Sequence, residues 1–402
     1  MSSAGAGLPA GKTPPFSQMP AARPSAVNYG DKMQLSDLTQ RSTLPAWNQA
    51  VISRPAQTAG IYSAIRPLLF RLEPERVHQL TIAALRLASQ MPLGPALLRM
   101  MFDAPDDPRL EVEAFGLKFK NPVGLAAGYD KAGAAVKGLS CLGFGHVEVG
   151  TLTLKPQAGN PRPRVHRLPE QNAVINSMGF PNPGVDSLHL RRGAFGKTRV
   201  GINIGKGKDQ PLDRASDDYC ELLRRVHPQA DYIALNVSCP NMVDLHKLQQ
   251  RGPLTELLRA ITATRNELNP RLPLLLKLSP DLTEAEIDDT LTAVFDTGVD
   301  GIIATNTSTG RAGVPSHKAG LKGGLSGAPL RAKSTEFISY LSRRTEGKLP
   351  IVGLGGIGSP ADALEKLRAG ACLVQIFTGM IYAGPALARE INRALLAAKL
   401  LV

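Results

Sequence analysis

Residues 351–360 read IVGLGGIGSP, an apolar run of strand length followed by a glycine-rich turn and the start of a helix. The glycines fit the G-x-G-x-x-G pattern of phosphate-binding turns, and Ser359 and Pro360 suit the cap and first position of a helix. A dinucleotide-binding fold would place this motif early and an acidic residue about 20 positions later. Here the motif comes late, and the apolar stretch 373–376 follows it. The motif therefore favours a phosphate site between the last two strands of a barrel.

Apolar runs of strand length recur along the chain after residue 110, and most are separated by helix-length segments such as 253–268 and 283–296. Eight buried strands alternating with helices predict an α/β fold, a (β/α)8 TIM barrel over residues 106–402. A doubly wound open sheet is the alternative. The eight runs are 122–126, 146–150, 199–204, 232–237, 274–278, 301–305, 351–355 and 372–377.

The composition places the chain among folded globular proteins, with 43% hydrophobic and 20% charged residues in a total of 402. Its 47 Lys and Arg exceed its 34 Asp and Glu, and the formal charge of +13 favours an anionic partner. A single Trp and no dense basic run argue against nucleic acid. Four Cys without a C-x-x-C pair, and histidines without ligand spacing, predict no metal site.

The N-terminal hundred residues divide into two segments. Residues 1–60 are predicted to be a disordered tail, because their first half is rich in Pro and lacks acidic residues. Residues 61–105 show apolar positions at helical spacing with an excess of Arg, which predicts two or three basic amphipathic helices. This segment either packs on the barrel or lies on a membrane. No apolar run reaches the roughly 18 residues that a membrane span needs.

Polar residues end several of the predicted strands, where the active sites of barrels lie. Asn203 and Asn236 close two of them, Lys277 closes another, and Lys131 and Cys239 follow strand ends. A single Asn at such a position is usually a turn former. Several amides and amines converging on one rim instead suit a planar heterocycle with imide edges, because amides both donate and accept hydrogen bonds.

In combination, these residues resemble the dihydroorotate dehydrogenase family from about Tyr62 to Ala388. The helical segment 73–78 (EPERVH) resembles the hairpin of the class 2 enzymes, which are quinone-dependent and membrane-associated. The other motifs are 121–131 (NPVGLAAGYDK), 147–153 (VEVGTLT), 156–164 (PQAGNPRPR), 175–180 (INSMGF), 201–206 (GINIGK), 304–307 (ATNT), 323–327 (GGLSG) and 352–357 (VGLGGI).

The resemblance implies oxidation of (S)-dihydroorotate to orotate in pyrimidine biosynthesis, with FMN as cofactor, a membrane quinone as electron acceptor and Cys239 as the catalytic base. It implies a quinone channel near His78 and Arg167. The implied substrate-binding residues are Lys131, Asn176, Ser177, Met178, Gly179, Phe180, Asn236, Asn241, Asn306 and Thr307. The implied FMN-binding residues are Ala127, Gly128, Tyr129, Asp130, Lys131, Thr151, Asn203, Asn236, Lys277, Thr305, Gly327, Gly356, Phe377 and Thr378.

The sequence departs from the class 2 pattern in a few places. Cys239 replaces the usual Ser of the base, and a nearby Lys or Asn network is expected to lower the pKa of its thiol, so that thiolate forms near neutral pH. The loop 242–246 (MVDLH) also differs, as do His166 and Phe377. Two alternatives stay open: a paralogue that acts on another small cyclic imide, and a flavin-binding module without turnover. We expect a peripheral protein on the cytoplasmic face of a bacterial inner membrane, with the mitochondrial inner membrane as the alternative.

Overall fold

The computed structural model describes residues 61–242 and 245–399, which belong to one compact unit. The predicted tail, residues 1–60, lies outside the described residues. The strands are β1 Val112–Ala114, β2 Leu117–Phe119, β3 Val123–Asp130, β4 His146–Leu152, β5 Val165–Leu168, β6 Ala173–Asn176, β7 Arg199–Ile204, β8 Tyr232–Asn236, β9 Leu274–Leu278, β10 Gly301–Ala304, β11 Gly324–Gly327, β12 Ile351–Leu354 and β13 Leu373–Ile376. The helices are α1 Ile61–Arg71, α2 Pro74–Gln90, α3 Gly94–Phe102, α4 Val136–Leu139, α5 Ala215–Val226, α6 Arg251–Glu267, α7 Glu284–Thr297, α8 Arg331–Arg344, α9 Pro360–Arg368, α10 Thr378–Ala383 and α11 Leu387–Lys399.

Eight parallel strands close into a barrel in the order β3-β4-β7-β8-β9-β10-β12-β13, which confirms the predicted TIM barrel. Every residue of β4, β8, β9, β10, β12 and β13 is buried. Helices cover the outer face of such a sheet and side chains fill its interior, so its strands are apolar throughout. Each of the eight predicted runs overlaps one of the eight barrel strands.

The first barrel strand is longer than the sequence indicates. Its apolar run ends near Ala126, but β3 continues to Asp130, and its register against β4 shifts between Leu125 and Asp130. This extension could not be predicted from hydrophobicity, because Ala127 and Gly128 are small and show no alternation of apolar and polar side chains. The irregular stretch brings the strand end toward the barrel mouth.

Two small antiparallel sheets accompany the barrel, and the sequence analysis predicted neither. The hairpin β1–β2 is one, and β5, β6 and β11 form the other. Their strands have three or four residues, too few for a reliable period of two. In the second sheet Asn176 of β6 pairs with Gly324 of β11, which fixes the position of Asn176 beside the strand ends.

Helices α1, α2 and α3 form the predicted N-terminal helical segment. One face packs on the barrel, where Leu85, Leu98 and Phe102 contact a core cluster. The carboxylate of Glu75 on α2 accepts hydrogen bonds from Arg164 Nε (3.1 Å) and Nη2 (2.6 Å), and from Arg162 (3.0 Å). Of the two alternatives for this segment, packing on the barrel therefore applies to one of its faces.

The opposite face of the same segment exposes large apolar side chains. Leu93 is 78% exposed, Met100 76%, Leu87 63% and Leu68 60%. Among the described residues, Phe295 is the one exposed large apolar side chain outside the stretch 65–101. A patch of this kind usually marks an interaction surface. None of the helices that the structure describes has the length and hydropathy needed to cross a bilayer.

Candidate active site at the strand ends

A cavity of about 580 Å³ extends from the carboxyl ends of the barrel strands to the space between α1 and α2. It brings most of the predicted site residues together. Those on its wall are Ala127, Gly128, Tyr129, Lys131, Thr151, Asn176, Met178, Gly179, Phe180, Asn236, Cys239, Asn241, Lys277, Thr305, Asn306, Thr307, Gly327, Gly356, Phe377 and Thr378, together with His78 and Arg167.

Three predicted ligand contacts are absent from this wall: Asp130, Ser177 and Asn203. The Asp130 carboxylate turns away and accepts hydrogen bonds from the backbone N–H groups of Ala134 (2.9 Å) and Ala135 (2.7 Å). Ser177 makes backbone bonds to neighbouring loops, and Asn203 is fully buried beneath the cavity. These three residues make the protein contacts described, and their assignment as ligand contacts stays a prediction.

Asparagine side chains form two hydrogen-bonded groups at the polar end of the cavity. Asn306 Nδ2 donates to Asn236 Oδ1 (3.3 Å) and to Ser238 Oγ (3.1 Å). Asn241 Nδ2 donates to the carbonyl oxygen of Asn176 (3.1 Å). These residues come from different elements, so only the closed barrel brings them together. Their unused donor and acceptor positions suit a ligand with amide or imide edges.

Two buried lysines add positive charge. Lys131 Nζ donates to the carbonyl oxygen of Gly128 (2.7 Å), and burial lowers the pKa of Lys131 to about 8. Burial also lowers the pKa of Lys277, although the nearby Glu148 opposes this effect. Within residues 61–242 and 245–399 the Lys277 ammonium makes no hydrogen bond, so it is available to a ligand. Both amines favour an anionic or electron-rich ligand.

Cys239 follows β8 and is only 9% exposed. Burial raises the pKa of its thiol to about 11, and hydrogen bonding from the Asn241 backbone and the charge of Lys277 offset only part of that rise. The expected thiolate at neutral pH is therefore wrong for this structure. The sequence suggested a Lys or Asn network near Cys239 but could not show how deeply the thiol is buried. Desolvation changes the pKa of the thiol more than the neighbouring hydrogen bonds and charge do.

Aromatic residues line the other end of the cavity. The rings of His78 and Tyr129 meet edge to face at 5.1 Å, and Tyr129 contacts Phe377 at 5.8 Å. The Arg167 guanidinium lies 4.6 Å from the Phe70 ring centroid and donates to carbonyl oxygens at the end of α1. Burial lowers the pKa of His78 to about 4, so its ring is neutral near pH 7.

Sequence reasoning missed several of the residues on this wall. Tyr62, Ile65, Leu69 and Phe70 of α1 lie on it, as does Ser326. Helical spacing indicated an apolar face on α1 but did not show which side chains turn toward the barrel. Ser326 belongs to the glycine-rich motif 323–327, and its hydroxyl accepts a hydrogen bond from Thr378 (2.9 Å).

Glycines with positive φ form a narrow recess around the end of β12. Gly327, Gly355 and Gly356 have φ values of 97°, 125° and 74°. A Cβ at Gly356 would lie 2.5 Å from Arg331 backbone, so the turn tolerates no side chain there. Ser359 caps α9 as predicted, accepting from the backbone N–H of Asp362 (3.3 Å). Glycine turns beside a helix N-terminus suit a phosphate group.

Some polar atoms near this recess lack partners in the protein. Thr305 Oγ1 is buried without a hydrogen bond, and Gln375 Oε1 is as well. Because buried polar atoms are nearly always paired, such atoms on a cavity wall indicate a ligand that completes them. Among the described residues, no group of His, Cys, Asp or Glu has the arrangement of a metal site.

A TIM barrel whose strand ends hold a phosphate recess and an amide-lined pocket has the architecture of an enzyme. The dihydroorotate dehydrogenase family profile matches residues 109–399, and the chain belongs to that family. Two similar proteins are both named dihydroorotate dehydrogenase (quinone). The one from a Roseiflexus species is 47% identical over 338 residues, 84% of this chain and 93% of the relative. The one from Azotobacter vinelandii is 48% identical over 343 residues, 84% and 97% of the two chains.

Solved structures agree with this assignment. The crystal structure of DHODH from Eimeria tenella in complex with ferulenol superimposes with a TM-score of 0.74 at 35% identity, covering 82% of this chain and 94% of that chain. The ligand-free form has a TM-score of 0.72. The family profile extends over the barrel, residues 109–399, and the similar proteins cover 82–84% of the chain.

Proposed function

We propose that this protein oxidises (S)-dihydroorotate to orotate in pyrimidine biosynthesis, with FMN as cofactor and a membrane quinone as the final electron acceptor. The observation that supports this most directly is the continuity of the cavity. Its polar end is lined by amides and Lys131, and its other end by the apolar side chains of α1 and α2. A polar substrate and an apolar acceptor can thus use opposite ends of one space.

The polar end suits the substrate's functional groups. Lys131 offers an ammonium to the carboxylate, and it is protonated below its pKa of about 8. Asn176, Asn236 and Asn306 offer donors and acceptors to the imide edges of the ring. An analogue without the carboxylate would leave the Lys131 charge unpaired in a buried place, which disfavours its binding.

The recess around β12 fits FMN, because its glycine turn accommodates a phosphate and Thr305 offers an unpaired hydroxyl. We assign Thr151, Lys277, Gly327, Phe377 and the remaining predicted cofactor residues on the cavity wall to its binding. Bound there, FMN would supply the hydride acceptor for the substrate and relay the electrons to the quinone. Lys277 would place a positive charge beside the ring system.

Cys239 is the proposed base. Loss of hydride from one ring carbon of dihydroorotate requires loss of a proton from its neighbour, and only the thiolate form of Cys239 can accept that proton. Because burial keeps the thiol protonated, thiolate is a minor species at pH 7. Lys277 lies close enough to lower the thiol pKa in part, so it favours the active form.

The N-terminal helices are assigned to quinone access and membrane contact. Their exposed apolar side chains can enter a lipid surface, each contributing about 1.5–3 kcal/mol when fully buried, and their Arg residues attract acidic lipid. His78 of α2 and Arg167 of β5 lie on the cavity wall. We propose a peripheral location at the cytoplasmic face of a bacterial inner membrane. Truncation cannot isolate this role, because the other face of the helices packs on the barrel core.

The function is tested by anaerobic and quinone-coupled assays with dihydroorotate and dihydrouracil, which lacks the carboxylate. We expect dihydroorotate to reduce the bound flavin and a water-soluble quinone analogue to reoxidise it. Flavin reduction by dihydrouracil should be at least about 100-fold slower, because dihydrouracil offers no carboxylate to the Lys131 ammonium. Preference for dihydrouracil would contradict the substrate assignment. Absence of turnover with either would contradict the assigned activity.

Thr305→Val tests the cofactor recess. The substitution keeps the shape and removes an unpaired hydroxyl, so the apoprotein should not lose stability, whereas FMN should bind about 5- to 10-fold more weakly for want of one hydrogen bond. Thr290→Val is the matched control, because Thr290 Oγ1 is also buried without a partner but lies on α7. FMN titration and thermal unfolding measure both effects. Equal FMN affinities in the two variants would rule out the Thr305 assignment.

Cys239→Ala tests the base. The variant should keep FMN and bind orotate, yet its flavin should be reduced by dihydroorotate roughly 10²–10⁴-fold more slowly, the usual effect of losing a general base. In the unmodified protein saturated with dihydroorotate, the rate of flavin reduction should rise about tenfold per pH unit from pH 7 to 9, because the raised thiol pKa leaves the thiolate fraction growing throughout that range. Stopped-flow absorbance measures both, with Cys141→Ala as control. A rate independent of pH would argue against a thiol base.

Leu93→Glu combined with Met100→Glu tests the membrane surface. Both side chains are exposed and neither lines the cavity, so turnover with a soluble quinone analogue should stay within about twofold. Binding to vesicles with acidic lipid should be lost, because carboxylates cannot enter the lipid surface. Phe295→Glu removes an apolar side chain elsewhere that is also exposed (55%), and this variant should bind vesicles normally. If all variants co-sediment with vesicles alike, the surface does not bind membranes.

A further inference from the structure

Glu148 lies in the middle of β4 inside the barrel and is completely buried. Its carboxylate accepts three hydrogen bonds: from Asn203 Nδ2 (2.9 Å) on Oε1, and from Gln375 Nε2 (2.8 Å) and Tyr232 Oη (3.3 Å) on Oε2. Neither Glu148 nor Asn203 lines the cavity. All three hydrogen bonds run toward the carboxylate, whose oxygens accept hydrogen bonds and donate none.

A chain of hydrogen bonds connects this carboxylate to the polar end of the cavity. Thr151 Oγ1 donates to Asn203 Oδ1 (2.6 Å), and Asn236 Nδ2 donates to Thr151 Oγ1 (3.0 Å). Asn306 Nδ2 then donates to Asn236 Oδ1 (3.3 Å). Every donor in this chain points toward Glu148.

The donor-to-acceptor direction of these hydrogen bonds is determined at their inner end, by Glu148. Because Glu148 only accepts, Asn203 must turn its amide nitrogen inward and its oxygen toward Thr151. The Thr151 hydroxyl must then donate inward, which leaves its lone pair for the Asn236 nitrogen. At the outer end, the backbone N–H of Thr307 donates to Asn306 Oδ1 (2.8 Å), which sets the same direction.

We propose that Glu148 is a positioning residue, whose charge fixes the orientation of Thr151 and Asn236 and so decides which atoms face the substrate as donors and which as acceptors. This inference rests on the proposed function. A rotated amide would present a donor where the substrate also has a donor, and such a mismatch between buried groups weakens binding. Glu148 therefore affects substrate binding without touching the substrate.

Moving the carboxylate from position 148 to its hydrogen-bond partner at position 203 tests this proposal. Glu148→Gln introduces an amide that can donate or accept, so the chain loses its single direction, and we expect orotate to bind the FMN-loaded protein about tenfold more weakly. Asn203→Asp alone places two carboxylates where the 2.9 Å hydrogen bond lies now, and should weaken orotate binding at least as much.

The double variant Glu148→Gln with Asn203→Asp should regain the orotate affinity that each single variant loses. The new amide at position 148 donates to the new carboxylate at position 203, and its oxygen still accepts from Gln375 and Tyr232. The carboxylate at 203 accepts from Thr151, so the direction from Thr151 outward is unchanged. We expect orotate affinity within about twofold of the unmodified protein and an unfolding temperature above that of either single variant.

Orotate affinity is measured by the change in flavin absorbance, together with flavin content and thermal unfolding. Tyr232→Phe is the control, since it removes one donor to Oε2 and leaves the chain intact; its orotate affinity should stay within about twofold. The proposal would be overturned if the losses of orotate affinity in the two single variants added up in the double variant. It would also be overturned if Glu148→Gln lost no orotate affinity. A double variant that fails to fold would do so as well. If the unmodified protein neither binds orotate nor oxidises dihydroorotate, the proposed function fails instead.

Discussion

The interior of a closed parallel barrel excludes water, so every polar group that points into it needs a partner from the protein or from a ligand. In this protein three residues of the inner layer meet that condition by themselves. Glu148, Asn203 and Thr151 satisfy one another through short hydrogen bonds. The outer layer, by contrast, contains Thr305 Oγ1, which is buried without a hydrogen-bond partner in the protein. The boundary between the two layers is the floor of the active site.

The same exclusion of water determines how the ionisable groups behave. It raises the pKa of Cys239 to about 11 and lowers that of Lys131 to about 8, so both groups are driven toward their neutral forms. The substrate carboxylate reverses one of these effects, because a negative charge beside Lys131 favours the ammonium. Lys277 acts in the same sense on Cys239. A bound carboxylate therefore stabilises the charged form of Lys131 that binds it.

Much of this arrangement could be predicted from the sequence. The eight barrel strands were predicted because parallel strands buried on both faces are apolar throughout, and Asn236, Lys277 and Asn306 were predicted because polar residues at their ends are conspicuous. What could not be predicted has a common cause. Asn203 and Asp130 stand at the same kind of position, but which way each side chain turns depends on hydrogen bonds to Glu148 and to the Ala134–Ala135 backbone. Such tertiary contacts leave no periodic signal, and neither does the depth that sets the Cys239 pKa.

The N-terminal helices pose a different problem of orientation. Because both faces of this segment are apolar, hydrophobic burial alone does not specify which face meets the barrel. A specific polar contact can, and Glu75 supplies one: its carboxylate is 8% exposed and pairs with Arg164, which is 6% exposed. Arg164 also donates to the carbonyl oxygens of Ala158 and Asn160, so the guanidinium has a single geometry. Turning α2 over would leave this guanidinium buried without its carboxylate, a loss of about 3–5 kcal/mol. The ion pair thus selects the packed face, and the exposed leucines are left free to face outward.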